Sequence, residues 1–256
     1  MWCHRLHCSI VAKAAALGLV HSCASPSRPQ LGMQFITSGH LLLSRYPIRR
    51  HHWQYFKHQA TIEQFLCSRG SIYAELTLPD GSPLHVSSCH TTSGTDVLVE
   101  AMHLQHTRLH RGGNPTALQE VREWAEQVKC QLAASSPHAS TLTKARPAVI
   151  MCGDLNITPH DHEYKGACAA LDELGLGLRD TFEDRWEPTF GMSQQQERLL
   201  TQAADVDAQK TVDYIFSAAS PVEVKVEALA AEEAVHDKYQ QVSDHRAVVA
   251  SWAWEA

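Results

Sequence analysis

Residues 149–156 read Val-Ile-Met-Cys-Gly-Asp-Leu-Asn, an apolar run that ends in a carboxylate and a carboxamide two residues apart. A carboxylate can accept a proton or hold a cation, and a carboxamide can donate to a phosphoryl oxygen. In extended geometry Asp154 and Asn156 project to one side, at the carboxyl edge of a sheet, where α/β proteins bind ligands. Taken alone, the pattern reads first as an Asx turn closing a strand. Other segments shift that balance. Ser243-Asp244-His245 runs into a last apolar stretch and puts an imidazole that titrates near neutral pH at a strand entrance. Thr211-Val212-Asp213-Tyr214-Ile215-Phe216 buries an aspartate in an apolar strand, which is costly unless the carboxylate is paired, and a histidine is a natural partner. Cys89-His90-Thr91 ends a further strand in a polar group.

The elements that must position these groups follow from periodicity. A buried strand is expected over 147–152, stopping at Gly153. Residues 71–78 alternate, Pro79-Asp80-Gly81 makes a turn and 84–89 returns, which together predict a hairpin. Helical spacing predicts helices over 96–110, 116–132 and 162–174, and strands are expected over 211–216, 222–228 and 246–252. Upstream, residues 33–44 read as strand with a break at Gly39, after a Ser- and Pro-rich loop over 22–29. Ile10, Ala14 and Leu17 form one stripe, with Ser9 as cap and Gly18 as stop, so 10–20 reads as an amphipathic surface helix. Lys13 in its middle argues against a signal peptide. Strands and helices intermix without strict βαβ alternation, which favours a mixed sheet or a pair of sheets covered by helices.

The chain of 256 residues is 44% hydrophobic, enough to bury the core of one domain spanning 1–256. A net charge of −6 with scattered Lys and Arg advertises no cationic face for nucleic acid. The eight cysteines contain no CxxC pair and read as reduced thiols, which places the chain in the cytoplasm. The longest apolar stretch is eleven residues and carries Lys13, short of the roughly 20 that span a bilayer; any membrane contact would be peripheral. No oligomer is implied. Among seventeen histidines, His103, His106 and His110 sit at helical spacing, but no acid or thiol joins them at a closed zinc spacing, and they read as a solvated helix face. His51, His52 and His58 read as an exposed loop beside Arg49 and Arg50. Asp161 and Glu163 fit helix capping and contacts behind the Asn156 rim equally well. Gly112-Gly113-Asn114 lacks a following Lys-Ser or Lys-Thr and reads as a turn.

In their order, Gly153-Asp154-Leu155-Asn156, Thr211-Val212-Asp213-Tyr214-Ile215 and Ser243-Asp244-His245 resemble the endonuclease/exonuclease/phosphatase superfamily. Ser44-Arg45-Tyr46-Pro47-Ile48, the run from Arg69 to Ala74 and the His90 segment resemble its neutral sphingomyelinase-like branch. The resemblance implies a two-sheet α/β (α+β) sandwich of mixed strands flanked by helices in four layers. It also implies a phosphodiesterase using Mg²⁺ or another divalent ion. The expected roles are His245 as catalytic histidine, Asp213 as its orienting carboxylate, and Asp154 positioning or activating water. Asn156 and His90 would donate to the phosphoryl group or leaving oxygen, and Asp244 would lie at the metal. The expected substrate is a phosphodiester lipid head group such as that of sphingomyelin, with a nuclease or an inactive phosphate-binding fragment as alternatives.

The family's first two strands, the second carrying a Gln-Glu pair whose glutamate is the main magnesium ligand, have no counterpart ahead of the first helix. Glu63, Glu75 and Glu100 lie in the wrong places to replace it. The expectation is therefore a domain incomplete at its N-terminus.

Overall fold

The computed structural model describes residues 4–26, 38–59, 69–92, 114–135, 148–182, 185–190, 210–227 and 245–253. The described elements run α1 (His4–Ala16), β1 (His21–Ala24), β2 (Leu41–Ser44), β3 (Ile48–Tyr55), β4 (Gly70–Thr77), β5 (Pro83–His90), α2 (Pro115–Ser135) and β6 (Ala148–Asp154). They continue through α3 (His162–Asp172), β7 (Arg179–Asp180), β8 (Asp213–Ser217), β9 (Glu223–Glu227) and β10 (Ala247–Ser251).

Six strands form one mixed sheet in the order β3-β4-β5-β6-β8-β7, and β1-β2 and β9-β10 form two-stranded antiparallel sheets. Within the large sheet only β5 and β6 run parallel. That pair needs a long crossover, and α2 lies in it. Asn114 caps α2 by accepting the Ala117 N–H at 3.0 Å, and Pro115 takes the first helical position, where its missing N–H costs nothing. Ala117, Val121, Trp124, Ala125 and Val128 then make up most of its buried face, with Glu120 and Gln127 buried beside them. They meet Val149 and Met151 of β6 and Tyr214 and Phe216 of β8, together with Ala167 and Leu171 of α3, in the larger core cluster. The Trp124 indole N–H donates to Ser87 Oγ at 2.7 Å, which satisfies the ring's polar atom in its buried position.

Alternation sends Ile72, Ala74, Leu76 and Leu84 to the opposite face, where Cys23 of β1 and Leu42 of β2 cover them. On the same face Val86 and Ile150 of the central strands are only half-buried, whereas Val149 and Met151 beneath the helices are buried completely or nearly so. The two sides of the sheet are covered unequally.

Several expectations shift at their boundaries. β6 does not stop at Gly153; it pairs through Asp154, so the carboxylate is the last residue of the strand. α1 starts at His4, which puts Ser9 inside the helix rather than at its cap, while Gly18 at φ 88° ends it as expected. His51 and His52 lie on β3, not in a loop. A run of Ile-Arg-Arg-His-His-Trp-Gln-Tyr carries the charges of an edge strand, where they discourage pairing with another chain. β1, read as part of a polar loop, pairs with β2. The helix expected over 96–110, with His103, His106 and His110, and the Gly112-Gly113 turn lie outside the described residues.

β3 is anchored by two arginines that converge on one buried carboxylate. Glu75, 3% exposed, accepts from Arg49 at 3.0 Å and Arg50 Nε at 3.2 Å, and Arg50 also donates to the Gln131 carbonyl at 2.5 Å near the end of α2. Burial alone would raise the Glu75 carboxyl, but Ser135, Arg49, His85 and Arg50 outweigh it and lower its pKa. Arg50→Met removes one partner of a buried carboxylate and a carbonyl cap together. It is expected to cost about 3 kcal/mol, read from the urea midpoint at unchanged m-value; a loss below about 1 kcal/mol would mean that Arg49 suffices.

Candidate active site

Strand register brings the polar ends together. Tyr55 pairs with Gly70, Gly70 with His90, His90 with Asp154, and Asp154 with Asp213, so one rung of the sheet carries all five residues. By alternation the side chains of Tyr55, His90, Asp154 and Asp213 share the face opposite α2. Gly153 makes the β5–β6 approach possible: a Cβ there would lie 2.2 Å from the Cys89 carbonyl oxygen, and its φ is +157°.

After Asp154 the chain leaves extended geometry. Asn156 adopts φ 47°, a left-handed conformation that asparagine tolerates, and its N–H donates to Asp154 Oδ1 at 2.8 Å. The Asx turn and the site coexist: Oδ1 closes the turn and Oδ2 faces the rim. The same turn overrides the same-side alternation expected for Asn156. Its carboxamide N–H donates to the Thr91 carbonyl at 3.0 Å and ties the loop to the end of β5. Leu155 N–H to the Val212 carbonyl at 2.8 Å and Thr91 Oγ1 to the Leu155 carbonyl at 2.6 Å complete the anchorage.

His245 enters from beyond the sheet. It bridges to Phe190 as an isolated antiparallel pair, and the Phe190 ring packs edge-on against its imidazole at 5.0 Å between centroids. The following Arg246 N–H donates to the Thr189 carbonyl at 2.7 Å. Thr189 also accepts, through Oγ1, the N–H groups of Val212 and Asp213 at 3.0 and 3.1 Å. One buried threonine therefore holds both partners of the dyad. His245 Nδ1 lies 2.8 Å from Asp213 Oδ2, and its Nε2 lies 3.9 Å from Asp154 Oδ2. A carboxylate only accepts, so Nδ1 carries the proton and donates to Asp213, which leaves the Nε2 lone pair turned towards Asp154.

His90 stands on the other flank, with Nε2 3.2 Å from Asp154 Oδ2. Burial, then the charge of Arg69 and the neighbouring His40 and His245, keeps its pKa well below the usual imidazole value. Burial likewise holds His40 at about 4. Asp154 is pushed up to about 7, first by burial and then by the charge of Asp213, with His245 opposing. A carboxylate poised there exchanges a proton readily near neutrality.

Ligand atoms of Asp154, Asp213 and His245 all lie within 4.8 Å of one another, a spacing that could hold a metal ion. Two carboxylates suit a hard divalent cation that keeps water or substrate oxygens in the rest of its shell. The imidazole is a poor ligand for such an ion, and its hydrogen bond to Asp213 already gives it another task. Among the described residues no glutamate joins the group. Asp244, expected at the metal, lies outside the described residues, as do Glu63 and Glu100; Glu75 is on the α2 side in the Arg50 network.

Sequence reasoning missed Thr189 and Arg69 as parts of this rim, because a single threonine or arginine carries no spacing signal. Asp161 turns out to brace the loop after Asn156, its carboxylate accepting the Thr158 N–H at 2.6 Å, and it does not join the rim residues. His160 packs edge-on against Trp186. The cavity of about 410 Å³ beside α3, lined by Asp172, Arg179 and Asp180 among others, includes none of the rim residues.

Beta toxin from Staphylococcus aureus superimposes with a TM-score of 0.62 over 98% of this chain and 83% of that one, at 16% identity. Sphingomyelinase C from Streptomyces griseocarneus gives 0.58 over 98% and 83%, at 18% identity. The chain has a sphingomyelinase-like endonuclease/exonuclease/phosphatase fold. An endonuclease/exonuclease/phosphatase protein from Beutenbergia cavernae matches this fold more loosely, with a TM-score of 0.51 over 95% of this chain and 56% of that one, at 17% identity. A beta toxin mutant with the fold was crystallised with bound magnesium ions. No family model and no curated protein matches the sequence. Among the described residues no helix is long and apolar enough to cross a membrane.

Proposed function

We propose that this chain is a divalent-metal-dependent phosphodiesterase acting on a phospholipid or sphingolipid head group such as that of sphingomyelin. The observation that carries the reading is the Asp213–His245 dyad, whose Nε2 lies 3.9 Å from the buried Asp154 on the same rung as Asp213. The superposed sphingomyelinase C, whose name gives its substrate, favours the lipid class, and the net charge of −6 disfavours a broad nucleic-acid surface. Asp154 and Asp213 would hold Mg²⁺, with Asp244 in the same segment as His245. When bound, the cation supplies charge neutralisation at the phosphoryl oxygens.

The chain's own residues account for the remaining chemistry. Asp213 fixes the tautomer and orientation of His245, whose Nε2 can take a proton. Asp154 lies between the two imidazoles, where it can position the attacking water and accept its proton. His90 and the second N–H of Asn156 are the groups available to donate to the phosphoryl or leaving oxygen. In this reading residues 1–256 act as one domain.

The deciding experiment is turnover of sphingomyelin micelles against single- and double-stranded DNA, each with and without Mg²⁺. Cleavage of DNA with sphingomyelin untouched would overturn the lipid choice. Phosphocholine binding without turnover of any phosphodiester would leave only a phosphate-binding domain. A pH prediction follows from Asp154. Its carboxylate must be ionised to accept a proton, so kcat/KM is expected to rise with pH through about 7. Raising the Mg²⁺ concentration should shift that limb to lower pH, because a cation favours the ionised form. A flat profile between pH 5 and pH 8 would rule Asp154 out as the group that titrates.

A further inference from the structure

The two halves of the dyad come from different sheets. Asp213 opens β8 in the six-stranded sheet, and His245 stands just ahead of β10, which pairs with β9. Direct strand pairing therefore does not set their separation. The segment 187–190 lies between them, and Phe190 bridges to Lys210 on one side and to His245 on the other. Thr189 N–H and Phe190 N–H both donate to the Lys210 carbonyl at 2.9 Å, and Lys210 N–H returns to the Phe190 carbonyl at 3.1 Å. For Val212 and Asp213 the acceptor on this side is a side chain: both N–H groups donate to Thr189 Oγ1, at 3.0 and 3.1 Å. A hydroxyl oxygen has two lone pairs, and these two donors use both. The Thr189 carbonyl meanwhile accepts the Arg246 N–H at 2.7 Å. One fully buried residue thus grips the backbone of Asp213 through its side chain and the backbone next to His245 through its main chain.

We infer that Thr189 is a positioning residue for the Asp213–His245 dyad, whose hydroxyl, and not its backbone alone, sets the 2.8 Å approach of Asp213 Oδ2 to His245 Nδ1. The carboxylate hangs on the Asp213 backbone by a short side chain, so its reach follows wherever that backbone sits. Thr189→Val keeps the size and branching of the side chain and deletes the acceptor, which leaves the Val212 and Asp213 N–H groups without that partner. The backbone must then shift to find others, and a displacement of about 1 Å would carry the carboxylate out of hydrogen-bonding range of the imidazole. Thr211 offers a contrast on the same segment. Its Oγ1 donates to the Glu187 carbonyl at 2.7 Å, which anchors the segment without touching Asp213 or His245. The positioning rests on geometry; its effect on hydrolysis rests on the phosphodiesterase reading.

The test reads the Nδ1–H proton of His245 by ¹H NMR, without added metal. Hydrogen-bonded to a carboxylate, that proton should resonate well downfield of the backbone amides, and its disappearance in Asp213→Asn assigns it. In Thr189→Val the resonance should be lost or shifted upfield, and Thr189→Ser, which keeps Oγ1, should retain it. On a phosphodiester that the wild-type chain turns over, Thr189→Val should lower kcat by about 10- to 100-fold, as for a reacting group misplaced by about 1 Å. KM should change little, and Thr189→Ser should stay near wild type. Thr211→Val should lower the melting temperature and leave both the resonance and kcat in place. A wild-type chain without the resonance, an unchanged resonance in Thr189→Val, or the same loss in Thr211→Val overturns the inference. If Thr189→Val does not fold, amide exchange in the wild-type chain decides it. Protection of both the Val212 and Asp213 N–H groups sustains their bonds to Oγ1, and exchange of either at the rate of an exposed amide overturns it. The resonance needs no substrate, so a positioned dyad in a chain that hydrolyses no phosphodiester sustains the inference and defeats the hydrolase reading instead.

Discussion

Replacing His245 with alanine is expected to lower phosphodiester turnover by about 10³-fold or more, near the upper range for one positioned acid–base group. The geometry makes the effect large because the Asp213 carboxylate fixes the His245 ring with Nε2 towards Asp154. Asp213→Asn keeps the shape of the dyad but offers an amide N–H where Nδ1–H must be accepted, so it should cost most of the same factor. The double variant should be little worse than His245→Ala, since both changes remove one unit. The measurement is kcat/KM on the substrate that the wild-type chain turns over, with folding checked by thermal melt. Retention of turnover within about tenfold would place the acid–base chemistry elsewhere.

Gly153→Ala is the second large effect, and it acts on stability. The new Cβ would meet the Cys89 carbonyl oxygen at 2.2 Å, the Cys89 nitrogen at 2.9 Å and its carbonyl carbon at 3.0 Å. These are backbone atoms of the neighbouring strand and cannot swing aside. The strain of φ +157° for a residue with a side chain adds to the clash. A loss of about 3 kcal/mol or more is expected, together with loss of activity, because β5 and β6 must part between the residues adjoining His90 and Asp154. Gly175→Ala is the control. Its φ is +67° with nothing within 4 Å of the added Cβ, so only backbone strain applies and about 1 kcal/mol is expected. Urea denaturation of the two variants separates the effects. A Gly153→Ala chain within about 1 kcal/mol of wild type would mean that the close β5–β6 approach is not needed.

The parts of the fold legible in the sequence were those with a strong local period. The β4–β5 hairpin follows from alternation around Pro79-Asp80-Gly81, and α2 from apolar residues at helical spacing, which the structure extends to Pro115–Ser135. β3 was illegible for the opposite reason: as an edge strand it carries Arg49, His51 and His52, and its polarity reads as loop. The turn after β6 was half legible. Asp-Leu-Asn signals an Asx turn, but only the left-handed φ of Asn156 shows that its carboxamide reaches Thr91 instead of continuing the strand's alternation.

By itself the sequence determined which groups stand at strand ends: Asp154 after an apolar run, His90 closing a hairpin and His245 opening the last strand, whereas Asp213 was expected inside a strand over 211–216 and in the structure opens it. It also determined their order, from which the resemblance followed. Only the tertiary structure decided that Tyr55, Gly70, His90, Asp154 and Asp213 share a rung, and that Thr189 ties Asp213 to the His245 segment. The reason is physical. Register between strands distant in sequence is set by pairing and packing across the whole sheet, and a slip of one residue would turn each carboxylate to the other face. Which nitrogen of His245 carries its proton depends in turn on that register, because its Nδ1 meets the Asp213 carboxylate.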